Sequence, residues 1–268
     1  MLRESRRGDP KVTGVLPVAL EKATSVMMSV VKTVKEYVCI MQLHGDIDTE
    51  KLKGVVEYFR GEIYQRPPLK SSVKRRLRVR RVHNIEVLEK KDRLVLMRLS
   101  CDPGTYVRKL CHDIGLLLGV GAHMRELRRV RSGPFTEETS VTLQEVSEAL
   151  CVWRSTGEER LLRRVVMPVE KAVCHLPKIV ARQTAVAAIA HGADLAFPGV
   201  AAFTDDVEKN RVVALFTPKC ELIGLVRVLE SPIKLLERKR GLVAHPIRIV
   251  MEPELYPRAW KRRKGEKS

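Results

Sequence analysis

The sequence contains few aromatic residues and no long apolar run. Its 268 residues include five Phe, five Tyr and two Trp, which argues against a broad platform of rings for stacking single-stranded bases. Apolar stretches are short and interrupted, so none has the roughly 20 residues that a transmembrane helix requires. Residues 1–11 also lack the apolar core of a signal peptide. The sequence therefore predicts neither a membrane span nor secretion.

Cysteine is present, but without a metal-binding or redox spacing. No C-x-x-C pair occurs, and no pair of His or Cys residues has zinc-finger spacing. The six cysteines are scattered along the chain: Cys39, Cys101, Cys111, Cys151, Cys174 and Cys220. We expect reduced, mostly buried thiols of an intracellular protein, and no metal site is predicted.

Acidic residues are outnumbered by basic ones. Fifty Lys plus Arg against 32 Asp plus Glu leave a formal net charge of +18 at pH 7. Such an excess favours polyanionic partners, with nucleic acid ahead of an anionic membrane surface, and says little about fold. The charge is densest between Arg60 and Arg81, where Glu62 is the single acid. A solvated loop is the ordinary interpretation, but an RNA backbone would relieve the repulsion among these charges.

A second basic cluster follows the glycine-rich stretch 115–121. It contains Arg125, Arg128, Arg129 and Arg131, and in a helix the first three would share one face. Recognition of a structured RNA by its shape and backbone fits this composition. From the two clusters, the predicted RNA contacts are Lys70, Lys74, Arg75, Arg76, Arg78, Arg125 and Arg128.

Residue periodicity predicts a mixture of helices and strands. The predicted strands are 36–43, 79–88, 94–101, 212–216 and 222–228. The predicted helices are 49–59, capped by Asp48 or Thr49, then 106–118 and 141–164. A turn is expected at Thr13-Gly14, and Leu176-Pro177 is expected to mark a domain boundary.

Six blocks in order along the chain resemble the pseudouridine synthases that include the bacterial tRNA TΨC-loop enzyme and the dyskerin group. The first five resemble the catalytic domain, and the last resembles the PUA domain that follows it in the dyskerin group. The blocks are GDPKVTGVLPVALEKAT (8–24), KEYVCIMQLHGD (35–46), QRPPLKSSVKR (65–75), GTYVRKLCHDIG (104–115), GVGAHMRELRRVRSGPF (119–135) and HGADLAFPGV (191–200). The third and sixth blocks favour the dyskerin group over the bacterial enzymes.

The resemblance implies an α+β fold. Residues 1–175 would form a catalytic domain with a mixed, mostly antiparallel central sheet and flanking helices. Residues 176–252 would form a small β-barrel-like PUA domain that binds RNA, and 253–268 a basic C-terminal tail. Periodicity alone supports only mixed helix and strand.

The resemblance also implies a set of catalytic residues. Asp9 would be the nucleophile that attacks the target uridine, and Arg108 would pair with it and keep it ionised. Tyr37 would stack on the flipped uracil, where its hydroxyl would assist proton transfer, and Tyr106 and Leu127 would wall the pocket. The alternatives are a turn at Asp9, a surface arginine at Arg108 and apolar packing for the rest. No metal or organic cofactor is implied.

The dyskerin group implies partners as well. The PUA domain, including His191 and Gly192, would grip the ACA end of an H/ACA guide RNA, and the substrate would be rRNA or tRNA. Accessory subunits would be a small nucleolar-type protein, a glycine-arginine-rich protein and a kink-turn-binding protein held through RNA. No membrane partner is expected. The implied location is an archaeal cytoplasm, or the nucleolus if the source is eukaryotic.

The resemblance weakens ahead of Asp9. The family reads Gly-His-Ser/Thr-Gly-x-Leu before Asp-Pro, whereas residues 3–8 read RESRRG, in which only Ser5 agrees. An earlier Lys-Pro strand segment and residues that pack on the PUA domain would lie before Met1. We expect a mis-assigned start, with a genuine deletion as the alternative, and a loosened core for this chain alone.

Two other functions fit the same residues. A stand-alone tRNA-modifying enzyme would convert uridine without a guide RNA or accessory proteins. A non-catalytic RNA-binding scaffold would bind RNA but would be indifferent to loss of the Asp9 carboxylate.

Overall fold

The structure, a computed structural model, describes residues 3–4, 12–67 and 76–257. The chain divides into two compact units. The first unit comprises residues 4–18 and 30–157, and the second comprises residues 1–3, 19–29 and 158–268. Among the described residues, no helix combines the length and the apolar character needed to cross a bilayer.

A seven-stranded sheet is the centre of the first unit. Its strands are β2 (Val12–Gly14), β4 (Lys35–Leu43), β5 (Gly61–Gln65), β6 (Arg78–Lys91), β7 (Leu94–Cys101), β8 (Ala122–Ser132) and β9 (Phe135–Thr136). They lie in the order β2-β8-β4-β7-β6-β5, with β9 paired to β8. The β2–β8 pair is parallel and the others are antiparallel. A separate two-stranded sheet pairs β1 (Arg3–Glu4) with β3 (Val18–Ala19).

In the described part of the chain, four helices accompany this sheet, and two of them complete its core. They are α1 (Met27–Val31), which runs from one unit into the other, α2 (Thr49–Glu57), α3 (Val107–Leu118) and α4 (Leu143–Thr156), with a 3-10 turn at Glu137–Thr139. Helix α2 begins as predicted at Asp48, whose carboxylate accepts the backbone N–H groups of Glu50 and Lys51. Leucines and valines of α2 and α3 pack with β4, β6, β7 and β8 in one apolar cluster.

One predicted helix is divided in two. The segment 141–164 forms α4 and then α5 (Arg160–Val165) in the second unit, because Gly157 ends α4 in the left-handed conformation at φ +75°. Glycine adopts this conformation without strain, and a helix commonly ends on it. The prediction of one continuous helix was therefore wrong at Gly157.

The second unit is built on a six-stranded sheet. Its strands are β10 (Lys178–Ala181), β11 (Leu195–Ala196), β12 (Val200–Phe203), β13 (Val212–Phe216), β14 (Leu222–Val228) and β15 (Leu242–Ile249). They lie in the order β11-β15-β14-β13-β10-β12 and form a nearly closed, barrel-like sheet. Helices α6 (Gln183–Ala190) and α7 (Pro232–Leu235) belong to the same unit, with 3-10 turns at Glu21–Val26, Val169–Val173, Phe197–Gly199 and Pro253–Leu255.

The observed architecture confirms the predicted fold class. The first unit has a mixed, mostly antiparallel sheet with flanking helices, and the second has a small barrel-like sheet. The predicted strands all exist, although the strand predicted at 79–88 extends over Arg78–Lys91. The expected turn at Thr13-Gly14 is the end of the short strand β2.

Candidate functional site

Two predicted substrate-contacting residues lie on one face of the first unit's sheet. Residues directly opposite each other in an antiparallel ladder share a face. In the β4–β8 ladder, Tyr37 is opposite Arg129, and Cys39 is opposite Leu127. Cys39 is fully buried and Leu127 almost so, while Tyr37 packs against the same apolar cluster. The sheet therefore presents Tyr37, Leu127 and Arg129 together.

Arg129 connects Tyr37 to the segment that follows β2. It lies opposite Tyr37 in the β4–β8 ladder, and its Nε donates to the Val15 carbonyl at 2.7 Å. Burial raises the pKa of the Tyr37 phenol above its usual value, although the nearby Arg129 guanidinium opposes that rise. The hydroxyl is therefore protonated at neutral pH and has a cation as its neighbour.

Strand β2 brings the chain segment that follows Asp9 onto this face. Val12 lies beside Leu127 in the parallel β2–β8 pair and packs against the core. Gly14 ends the strand at φ +92°, and a Cβ there would lie 2.2 Å from the Arg129 carbonyl oxygen. A larger residue would therefore push β2 away from β8. Asp9, the predicted nucleophile, lies outside the described residues.

Helix α3 carries two further predicted residues at its start. Tyr106 is the residue at its N-cap, and Arg108 is exposed in its first turn. The helix packs on the sheet face that holds Tyr37, because the Sγ of its Cys111 lies 3.6 Å from the Sγ of Cys39. This neighbouring thiol and burial raise the pKa of Cys111 well above its usual value, so the thiol is protonated at neutral pH.

The start of α3 is anchored to β5 by a buried side-chain amide. Gln65 accepts the Tyr106 backbone N–H at 2.9 Å and donates to the Tyr106 carbonyl at 3.2 Å. Just upstream, Asp102 is bound by His83 Nε2 at 2.9 Å and by the Arg81 backbone N–H at 3.1 Å. The turn that leads into α3 is therefore fixed to β5 and β6.

A buried lysine lies two residues before Tyr37. Lys35 Nζ donates to the carbonyls of Val30 and Thr33, both at 2.8 Å, and to the Thr33 hydroxyl at 2.9 Å. Its pKa is lowered from 10.5 to about 8, mainly by desolvation and also by the charge of Arg129, whereas Cys101 acts in the opposite direction. The ammonium group joins the end of α1 to the start of β4.

The predicted RNA-binding residues of the basic segment are only partly described. Lys70, Lys74 and Arg75 lie outside the described residues. Arg76 is exposed ahead of β6, and Arg78 is half-buried at the first position of that strand, opposite Gln65. Arg78 therefore lies beside the anchor of α3.

The second basic cluster is a strand, which corrects the helical arrangement considered from its spacing. Arg128 is opposite Val38 in the ladder, so it faces away from Leu127 and Tyr37. Its Nε lies 2.5 Å from Glu137 Oε1, and Arg125 approaches the Gln42 amide oxygen at 3.5 Å. Alternation along β8 thus separates Arg128 from Arg129, which a helix would have placed on the same side.

The two residues predicted to contact RNA in the second unit end helix α6. His191 is its C-cap and interacts through Nδ1 with the Ala187 carbonyl at 2.7 Å. Gly192 follows at φ +94°, with open space where a Cβ would lie. Both residues are exposed at the end of the helix.

A cavity of about 530 Å³ lies beside β5 in the first unit. Its walls include Tyr58, Tyr64, Gln65, Lys109 and Leu117, so the residue that anchors the start of α3 also lines it. None of the described substrate-contacting residues lines it, so it does not coincide with the face around Tyr37. Among the described residues, no group of three or more His, Cys, Asp or Glu side chains is arranged to hold a metal ion.

Three residues of this face were not predicted from the sequence. In the sequence Arg129 is one member of a basic cluster, while Gln65 and Lys35 stand within blocks that resemble the family. A usable signal existed for Lys35, because it begins a strand whose alternate residues, Tyr37 and Cys39, point inward. Gln65 gave no such signal, since its partner is a backbone group 41 residues away.

Family models match almost the whole chain. Residues 7–107 match the N-terminal domain of TruB family pseudouridylate synthases. Residues 108–174 match the C-terminal domain of tRNA pseudouridylate synthase B, and residues 177–250 match the PUA domain.

Curated relatives include several archaeal proteins named probable tRNA pseudouridine synthase B. The chain is 50% identical over 254 residues to that of Sulfurisphaera tokodaii, which covers 95% of this chain and 75% of that protein. It is 50% identical over 249 residues to that of Saccharolobus solfataricus, covering 92% of this chain and 99% of that protein.

Two solved structures are similar over most of the chain. A Cbf5-Nop10-Gar1 complex contains a chain with 47% identity and a TM-score of 0.91, covering 96% of this chain and 79% of that one. An H/ACA RNP bound to a substrate RNA containing 2'-deoxyuridine contains a chain with 44% identity and a TM-score of 0.90, covering 97% and 79%.

Proposed function

Because the chain belongs to the TruB family of pseudouridylate synthases, we propose that it isomerises uridine in RNA as the catalytic subunit of an H/ACA guide ribonucleoprotein. The observation that carries the chemistry is the sheet face that presents Tyr37, Leu127 and Arg129 together. Strand β2 delivers the chain to that face three residues after Asp9. Three extended residues span at most about 11 Å, and this short separation from β2 supports the assignment of Asp9 to the same site.

In this proposal Asp9 is the nucleophile. A carboxylate is ionised at neutral pH and can form a covalent intermediate with the target uridine, which helps to break its N-glycosidic bond. The base then rotates and C5 bonds to the ribose, which displaces the Asp9 carboxylate. Loss of the C5 proton and protonation of N1 complete the isomerisation. Arg108, in the first turn of α3, pairs with the carboxylate and favours its ionised form.

Tyr37 and its neighbours hold the uracil. A uridine must leave its base stack before an enzyme reaches the glycosidic bond, and an aromatic ring replaces the lost stacking. Tyr37 provides that ring, and its protonated hydroxyl is available to assist proton transfer. Leu127 and Tyr106 wall the pocket, and Arg129 keeps the phenol in place.

RNA recognition is divided along the chain. We assign residues 1–175 to the catalytic domain, 176–252 to a PUA domain that grips the guide RNA through the end of α6, and 253–268 to a basic tail. The basic segment from Arg60 to Arg81 contacts the phosphates of the substrate. The net charge of +18 supports a polyanionic partner for both domains.

The proposed assembly follows from the solved relatives. One was crystallised as a Cbf5-Nop10-Gar1 complex and another as an H/ACA RNP with a substrate RNA. By this likeness the chain binds an H/ACA guide RNA, a small Nop10-like protein and a Gar1-like protein, with a kink-turn-binding protein held through the RNA. We place this assembly in an archaeal cytoplasm.

A second candidate function is stand-alone tRNA modification. The curated relatives from Sulfurisphaera tokodaii and Saccharolobus solfataricus are both named as probable tRNA enzymes. The target would then be a uridine in tRNA, with the same residues in the same catalytic roles. Only the source of sequence specificity would differ, because a guide RNA would not select the uridine.

Measuring conversion with and without the guide separates these functions. Purified chain is incubated with tRNA and with a guide-complementary RNA, in the presence or absence of guide RNA and accessory subunits. The proposal predicts pseudouridine in the guide-complementary RNA only when the guide is present. Guide-free conversion of tRNA would favour the stand-alone enzyme, and no conversion under any condition would leave only an RNA-binding scaffold.

A further inference from the structure

We propose that Gln65 is a positioning residue that sets the start of α3, and with it Tyr106 and Arg108, relative to the sheet. This inference rests on the proposed function, because it concerns residues assigned to the same site. Gln65 is 2% exposed and lies at the last position of β5. Both the oxygen and the NH2 group of its side-chain amide hydrogen-bond the backbone of a single residue, Tyr106, which lies 41 positions away in the chain.

The hydrogen bonds leave one arrangement for the amide. The Gln65 carbonyl oxygen accepts the Tyr106 N–H, and the Gln65 NH2 donates to the Tyr106 carbonyl. A flipped amide would place donor against donor and acceptor against acceptor. The side-chain amide therefore pairs with the Tyr106 backbone as a neighbouring strand would, and its two hydrogen bonds fix the position of Tyr106 relative to β5.

The anchored residue is the N-cap of α3. No side-chain cap is present at that position, whereas helices usually satisfy their first N–H groups with a capping side chain. The Tyr106 carbonyl also accepts the first helical hydrogen bond, from the Leu110 N–H at 3.0 Å. Gln65 thus fixes the peptide from which the helix starts.

Arg108 follows two residues after that peptide. Its direction depends on where the helix starts, because the first-turn side chains rotate with the helix axis. A displacement of about 1 Å in a catalytic group can lower turnover about 100-fold. A side chain that never touches RNA can therefore control turnover through Tyr106 and Arg108.

Gln65→Glu tests this inference because its shape is nearly unchanged. When protonated, the glutamic acid can accept the Tyr106 N–H and donate to the Tyr106 carbonyl, as the amide does. When ionised, it places a carboxylate oxygen against the Tyr106 carbonyl oxygen. Two acceptors then face each other, and the hydrogen bond to that carbonyl is lost. We expect single-turnover conversion, relative to wild type at the same pH, to fall about 100-fold as pH rises, with the dissociation constant for RNA unchanged.

Two further variants remove ambiguity. Gln65→Met lacks both hydrogen bonds at similar volume, so its conversion should be low at every pH. Thr217→Val removes another buried hydroxyl, which is 1% exposed and bound to Glu221 at 2.9 Å in the second unit; it should lower the melting temperature without changing single-turnover conversion.

The possible outcomes decide between the explanations. The inference would be overturned if the single-turnover rate of Gln65→Glu, divided by that of wild type, did not depend on pH. Loss of activity that merely follows loss of the folded fraction, measured by circular dichroism at each pH, would also overturn it in favour of a purely structural role. If wild type itself showed no conversion, the proposed function would be rejected. This outcome is distinguishable because wild type is measured in the same experiment.

Discussion

The two units bury different kinds of side chain. In the first unit the described buried polar residues are Lys35, Gln65 and Ser132, and the half-buried Tyr37 and Arg129 share a face with the core. In the second unit Thr217 is the buried polar residue among those described, and its hydroxyl donates to Glu221 at 2.9 Å. Burying a polar group without a partner is unfavourable. The contrast shows that the described part of the first unit buries more polar side chains, and two of them, Lys35 and Gln65, lie beside residues of the proposed site.

Arg108→Met should give the largest difference between the units. Loss of a cation beside a catalytic carboxylate lowers turnover by about 100- to 1,000-fold. The matched control is Arg160→Met in α5, where an exposed arginine pairs with Glu158 at 3.2 Å. Single-turnover conversion should fall only in the first variant. Equal activities would show that the start of α3 does not contribute to the reaction.

A pair of leucines separates packing from catalysis. Leu127→Ala and Leu215→Ala each remove a buried side chain from a central strand, one per unit. Each should lower the free energy of unfolding by about 2–5 kcal/mol. Below both melting transitions, only Leu127→Ala should also slow conversion, because Leu127 walls the proposed pocket. A similar slowing by Leu215→Ala would remove the distinction between the two cores.

Lys35→Met should reveal the pH-dependent contribution of a buried ammonium group in the first unit. The folded pKa of about 8 lies below the ordinary value of 10.5, so the unfolded chain binds more protons between these values. Stability contributed by Lys35 is then gained as pH rises from about 8 to 10.5 and lost as pH falls from 10.5 to about 8.

The measurement is chemical denaturation of wild type and Lys35→Met across that range. The stability of wild type relative to the variant should increase by up to about 3 kcal/mol between pH 8 and pH 10.5, because each unit of pKa difference corresponds to about 1.4 kcal/mol. Parallel curves for the two proteins would contradict a depressed pKa at Lys35.

The smallest expected effect concerns phosphate contacts. If the basic segment neutralises about four phosphates, log affinity should fall with log salt at a slope near −3 to −4. Arg76→Gln should make that slope shallower by roughly 0.7–0.9, whereas Arg160→Gln should leave it unchanged. Fluorescence anisotropy with labelled RNA at several salt concentrations measures both. An unchanged slope for Arg76→Gln would remove this residue from the RNA interface.

The sequence allowed the fold class, the family and most of the strands to be predicted, because periodicity and ordered motifs are local features. It also correctly placed Tyr37 on a strand and Arg108 in a helix. Arg128 was wrongly grouped with Arg129 on one face. Neighbouring residues point to opposite faces of a strand, whereas in a helix the two would lie on the same side. Gln65 and Arg129 could not be identified as partners of Tyr106 and Tyr37, because those contacts join strands and helices far apart in the chain.

The proposed chemistry depends on the Asp9 carboxylate, and Asp9→Ala tests it most directly. Guide RNA, accessory subunits and a substrate RNA are combined with wild type or the variant, and pseudouridine formation and RNA affinity are both measured. The account predicts no detectable pseudouridine with the variant and a dissociation constant for RNA within about threefold of wild type. Pseudouridine formation by Asp9→Ala at a rate near that of wild type would contradict it.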